Sequence, residues 1–154
     1  VEYLVRPARI TDVDRLVALA ERDLDIDDGD GPLAAADLLR QLVYLPQASV
    51  LVAEARRGLA GGVVLALRPS IRAGGYVGTV DLLVVDADHD ADGVVDALLE
   101  EVLRSAGNKG CSLVEAARPG DPAMLERWSR RGFTETGPRI ERAVAAQRAG
   151  RTRA

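Results

Sequence analysis

The chain has 154 residues, with 24 acidic side chains, 20 basic ones, one His and a formal net charge of −4. That size suits one domain with a true core, and 47% apolar with 29% charged content is ordinary for a globular protein. One Cys (Cys111) excludes an internal disulfide framework, one His (His89) excludes sites built on two histidines, and a pI near 5.1 argues against nucleic-acid binding by the whole surface.

Residues 1–7 alternate and read as a short strand ending at Pro7. No basic segment leads into an apolar stretch there, so no signal peptide is expected. Thr11-x-x-Asp14 has the form of a capping box, and Val13, Leu16, Val17, Ala20 and Leu24 then mark one face of a helix. Residues 25–31 form an acidic loop, and Asp23 to Asp30 holds five carboxylates. Pro32 suits the first turn of a second helix over 33–45.

Strands follow at 49–55 and 61–67, joined by the turn Arg56-Arg57-Gly58. A turn at Ala73-Gly74-Gly75 leads to a long strand over 76–85. Its run Leu82-Leu83-Val84-Val85 is apolar on both faces, as in a buried strand. The apolar runs are far shorter than the roughly 20 residues that span a bilayer. No membrane contact is expected, and the default is a cytoplasmic protein with Cys111 reduced.

Residues 93–105 are the clearest helix, with Val94, Val95, Leu98, Leu99, Val102 and Leu103 on one stripe. A strand is expected at 111–116, with Cys111 as a small core residue at its start. Asp121-Pro122 opens a short helix through Arg131. Strands at 133–136 and 139–146 complete a domain over 1–146, and the basic tail 147–154 is expected to fray. The predicted order is β-α-α-β-β-β-α-β-α-β-β, an α/β (α+β) domain with a largely antiparallel central sheet flanked by helices.

Several residues in that order resemble the GNAT superfamily of N-acetyltransferases. Val5-Arg6-Pro7-Ala8 with Asp12 is similar to its opening, Leu83-Val84-Val85-Asp86-Ala87 to its "L-x-V-x-P" strand end, and Trp128-Ser-Arg-Arg-Gly132-Phe133 to its "Y-x-x-x-G-F" signature. The resemblance implies transfer of acetyl from acetyl-CoA, as co-substrate, directly to a small-molecule or peptide amine. It implies that the strand Leu83, Val84 and Val85 and the loop Ala91, Asp92, Gly93, Val94 and Val95 hold the cofactor arm and its diphosphate, with Asp121 and Trp128 beside them. Asp81, on the long strand, is the candidate to take the amine proton. A backbone N–H near Val84 is the candidate to meet the oxyanion. The acidic loop 23–30 would then favour a cationic acceptor.

Four signature positions depart from that pattern. Asp90 stands where Arg or Gln is usual, Val95 where a small residue is, Asp121 in place of Asn and Trp128 in place of Tyr. An indole N–H donates hydrogen bonds but is no general acid. Carboxylates at 88, 90 and 92 face the expected place of an anion, each like-charge contact costing about 1 kcal/mol even in water, which predicts weakened CoA binding. The rival reading is therefore a degenerate fold acting as a binding or regulatory module, with homodimerisation through its C-terminal strands. Asp88-x-Asp90-x-Asp92-Gly93 also matches half a calcium loop, but position twelve is Leu99 and the loop follows a strand, so no metal is expected. Gly75-x-x-Gly78 precedes a strand and is no dinucleotide motif, and His89 reads as a surface residue.

Overall fold

The structure is a computed structural model and describes residues 2–24, 34–137, 140, 142 and 143. Among them, five strands form one sheet in the order β1-β2-β3-β4-β5. The strands are β1 (Leu4–Pro7), β2 (Ala48–Ala55), β3 (Gly58–Ser70), β4 (Gly75–Val85) and β5 (Cys111–Ala116). The helices are α1 (Val13–Leu24), α2 (Ala35–Tyr44), α3 (Ala91–Asn108) and α4 (Pro122–Arg130). The first four strands pair antiparallel, and β4 and β5 pair parallel across the α3 crossover. No helix among the described residues is long and apolar enough to cross a membrane.

The period of two along the strands sorts side chains onto two cores. Val50, Val52, Val64 and Val84 join Val13, Leu16, Leu19, Ala20 and Leu39 on the α1–α2 side. Leu51, Ala53, Val63, Leu65 and Val80 face the other way and meet α3 and Trp128. The double apolar run of β4 is thus used on both sides, as its sequence predicts. The α3 stripe is also as expected over Val94, Val95, Leu98, Leu99 and Val102, each fully buried. Leu103 is the exception; it stands 37% exposed, and Ala106 occupies the end of the stripe instead.

Gly61 and Gly62 let α3 and α1 approach the sheet. A Cβ on Gly61 would stand 2.5 Å from the Val84 carbonyl oxygen and 2.8 Å from Val94 Cγ1. Neither β4 backbone nor the α3 core can retreat without loss of packing. Gly61→Ala is expected to cost about 1–3 kcal/mol, read as a lower urea midpoint at unchanged m-value.

Three local expectations need correction. The capping box at Thr11 is absent: a 3₁₀ turn over Ile10–Asp12 precedes α1, and Asp12 accepts from the Arg9 amide at 2.7 Å. Helix α3 begins at Ala91 rather than Gly93, because the Asp90 carboxylate caps it by accepting from the Asp92 amide at 3.2 Å. The strand expected at 133–136 does not form among the described residues. Its first residue is tied to α4 instead: the Phe133 amide donates to the Trp128 carbonyl, and the two rings meet edge to face at 4.8 Å. The acidic stretch 25–31, the start of the second predicted helix, most of 139–146 and the tail 147–154 lie outside the described residues.

Candidate functional site

β4 carries a bulge at the centre of the sheet. Leu82 pairs with Val64 and Val80 with Leu65, so Asp81 is an extra residue with no partner on β3. On the other edge, the parallel ladder with β5 ends at Val80 and Ala116. Beyond that point β5 ends, and the chain that follows it faces β4 across a cleft of about 650 Å³. Its walls are Val80 to Leu83 and Val85 on one side and Ala116, Ala117, Pro119 and Gly120 on the other. Met124 and Trp128 close it on the α3–α4 side, and Arg22 of α1 borders it from the opposite side of the sheet. The cleft therefore has lining from both faces of the sheet.

Asp81 is exposed and lines this cleft, together with Leu83, Val85, Asp121 and Trp128. Val84 lies elsewhere: its side chain is buried on the α1–α2 side, leaving only its backbone for a role in the cleft. Val94 and Val95 are core residues by side chain. Asp121 caps α4, accepting from the Ala123 amide at 3.2 Å. Its type is thus explained locally, with Pro122 at the first helical position.

The start of α3 lies outside the main cleft, beside a smaller hollow lined by Asp92, Gly93, Asp96, Arg127 and Arg130. Here Asp92, one of the three carboxylates expected to oppose an anion, is charge-matched. Asp92 pairs with Arg127 at 2.6 Å and lies 3.7 Å from Arg130, and Asp96 pairs with Arg131 at 2.5 Å. Those arginines hold both carboxyls below their ordinary range. Asp90 occupies the cap, where an anion would otherwise meet the first amides of α3. The Asp90 amide itself donates to the Tyr3 hydroxyl at 3.1 Å, and His89 packs edge-on against the Tyr3 ring. Among the described residues, no group of three His, Cys, Asp or Glu side chains is placed to hold a metal ion.

Two buried carboxylates, Asp12 and Asp86, are held by arginine partners that the sequence does not show. Asp12 accepts two bonds from Arg6, at 2.8 and 3.1 Å, and Arg6 Nε donates to Glu54 at 2.9 Å. The Arg6 bond chiefly, against the cost of burial, holds Asp12 low, while Arg6 is raised in turn. Asp86 is 4% exposed at the end of β4. It accepts from Arg15 at 2.5 Å, Arg22 at 3.3 Å and the Asp88 amide at 3.2 Å. Burial pushes the Asp86 carboxyl up, but the Asp88 amide and the two guanidinium charges outweigh it and hold it low. Arg15 and Arg22 are two helical turns apart, so one face of α1 presents both to Asp86.

No family model and no curated protein matches the chain. Solved structures do match, over nearly the whole length. A transcriptional regulator from Bacillus halodurans C-125 superposes with a TM-score of 0.80 at 15% identity, covering 93% of this chain and 100% of its own. Ribosomal-protein-alanine N-acetyltransferase from Brucella melitensis biovar Abortus 2308 gives 0.71 at 18% identity, covering 94% and 99%. An aminoglycoside acetyltransferase from an uncultured soil metagenomic sample, solved with sisomicin, gives 0.75 at 15% identity, covering 94% and 97%. The chain has the GNAT N-acetyltransferase fold.

Proposed function

We propose that the protein transfers an acetyl group from acetyl-CoA to a primary amine in the cleft between β4 and β5. One observation supports this most: the β4–β5 ladder ends at Val80, immediately before the bulged Asp81, and the cleft there is lined from both faces of the sheet. An extended pantetheine arm fits between parted strands, where a strand's backbone groups serve it as they would a neighbour. The α3–α4 side, nearest the first turn of α3, suits the donor, and the α1 side suits the acceptor.

Two reactants brought to one point in this way react without a covalent enzyme intermediate. The neutral amine attacks the thioester carbonyl. The new N–C bond forms, the C–S bond breaks, and the CoA thiolate leaves. Asp81 accepts the proton that the ammonium must lose, directly or through water. Trp128 supplies no proton to the sulfur. A thiol's pKa of about 8.5 makes the thiolate a workable leaving group, protonated by solvent. Trp128 instead walls the cleft and packs the donor side.

The diphosphate end fits less well, because Asp90 sits in the helix cap. Asp90→Arg is expected to tighten acetyl-CoA about tenfold or more, each reversed charge contact contributing about 1 kcal/mol, while loss of the cap lowers stability by a similar amount. Calorimetric titration checks the first effect and thermal melting the second. An unchanged affinity would show that the Asp90 side chain does not face the diphosphate. The function itself is tested by amine-dependent release of free thiol from acetyl-CoA across a panel of primary amines. A thiol signal with at least one amine is expected; release that no amine accelerates argues for the rival, a binding module of this fold.

A further inference from the structure

We propose that Asp86 is a positioning residue for the amine acceptor: its buried carboxylate fixes Arg22 as the α1-side wall of the cleft. This deepens the acetyl-transfer reading and rests on it for the reaction.

Asp86 has no part in the proton transfer described above, yet both of its buried oxygens are engaged. Oδ2 accepts from Arg15 at 2.5 Å, and Oδ1 accepts from Arg22 at 3.3 Å and from the Asp88 amide at 3.2 Å. Its own amide donates to the Ala60 carbonyl at 2.7 Å, so the carboxylate stands on backbone tied to β3. Asp86 directly follows Val85, a residue of the cleft wall. Of its two guanidinium partners, Arg22 borders the cleft and Arg15 does not.

Arg22 lies in the last turn of α1. Its bond to Asp86 therefore ties the end of α1 to the end of β4, the strand that carries Asp81. What the cleft receives from Arg22 is a wall and not an open charge, because its guanidinium is engaged within the protein. A long arginine side chain samples many rotamers when it is not held. A carboxylate fixed to the sheet narrows them before the acceptor arrives, so less ordering remains to oppose binding. The two arginines divide the work by the oxygen each meets. Loss of Arg15 empties Oδ2 and leaves the Oδ1 bond to Arg22 in place.

The test uses the full chain and an amine that releases thiol from acetyl-CoA. Asp86→Asn and Arg22→Gln are each expected to raise the KM for that amine at least about fivefold, with kcat within about twofold and acetyl-CoA affinity unchanged. Arg22→Lys should recover part of the loss, since it keeps a charge for Asp86. The double variant should be no worse than either single change, because both remove one coupling. Arg15→Gln is the control for a merely structural role: it removes the shorter bond to the same carboxylate but no residue of the cleft. It should lower the melting temperature and leave the amine KM unchanged. Should Asp86→Asn fail to fold, the three arginine variants decide. An amine KM that rises with Arg15→Gln as it does with Arg22→Gln, that Arg22→Lys does not recover, or that adds up in the double variant overturns the proposal. A wild-type chain that no amine drives to release thiol overturns the transfer reading, and this inference with it. Turnover with an unchanged amine KM in every folded variant overturns this inference alone.

Discussion

Asp81→Asn is expected to lower kcat/KM for acetyl transfer by about 10²- to 10⁴-fold, the usual contribution of a positioned general base. The same change should leave folding nearly untouched. Asp81 is exposed and, as the bulged residue, has no partner on β3. Asn keeps its size and loses only the capacity to take a proton. The KM for acetyl-CoA should also stay put, since the donor arm meets the strand backbone rather than this side chain. Thiol-release kinetics and a thermal melt of the same variant check both halves. A drop of less than threefold would move the proton acceptor elsewhere, whatever the melt shows.

The largest stability effect is expected at Asp12. Asp12→Ala leaves Arg6 without its bidentate partner, with side-chain exposures of 17% for Arg6 and 11% for Asp12. Removing one member of a largely buried pair costs about 3 kcal/mol or more, and the Arg9 amide loses its acceptor as well. The pair also sets a direction for acid sensitivity. Asp12 and Asp86 are both held below the ordinary carboxylate range in the fold. A depressed carboxyl adds stability that is fully present above its unfolded value, near pH 4, and is lost as pH falls through the folded value. Wild-type stability should therefore be flat from neutral pH to about pH 5 and fall below pH 4. Asp12→Ala should flatten part of that fall. Urea melts across pH 2.5–7 read both, and a wild-type curve that does not fall below pH 4 contradicts the assignment.

What could be read from the sequence was local. The α3 stripe at 94, 95, 98, 99 and 102 follows from a helical period, and the double apolar run of β4 follows from its composition. Asp81 is identifiable as a polar residue just before that run. That it sits in a bulge is not, because the bulge is a property of register against β3, which depends on residues about 17 positions earlier. The arginine partners of the two buried carboxylates were hidden for the same reason. Arg6 meets Glu54 across 48 residues, and Arg15 meets Asp86 across 71. A buried Asp looks like any other Asp until its arginine is found.

The charge at the start of α3 shows what spacing alone leaves unseen. Three aspartates at alternate positions look like one repulsive cluster. In the fold two of them do different things: Asp90 caps the helix, and Asp92 is matched by Arg127 from α4, 35 residues later. Phe133 carries a related lesson, since a β-former after a glycine reads as a strand until its amide is seen bonded to the Trp128 carbonyl.

The most direct test is a calorimetric titration of the wild-type chain with acetyl-CoA at low and moderate salt. The expected result is saturable binding in the micromolar range, weakening as salt rises only to the extent that arginines near α3 meet the phosphates. Asp121→Ala, at the cleft wall but outside the base's position, should leave it within a few-fold. No heat and no thermal shift at millimolar acetyl-CoA would contradict the assignment of the β4–β5 cleft as a donor site.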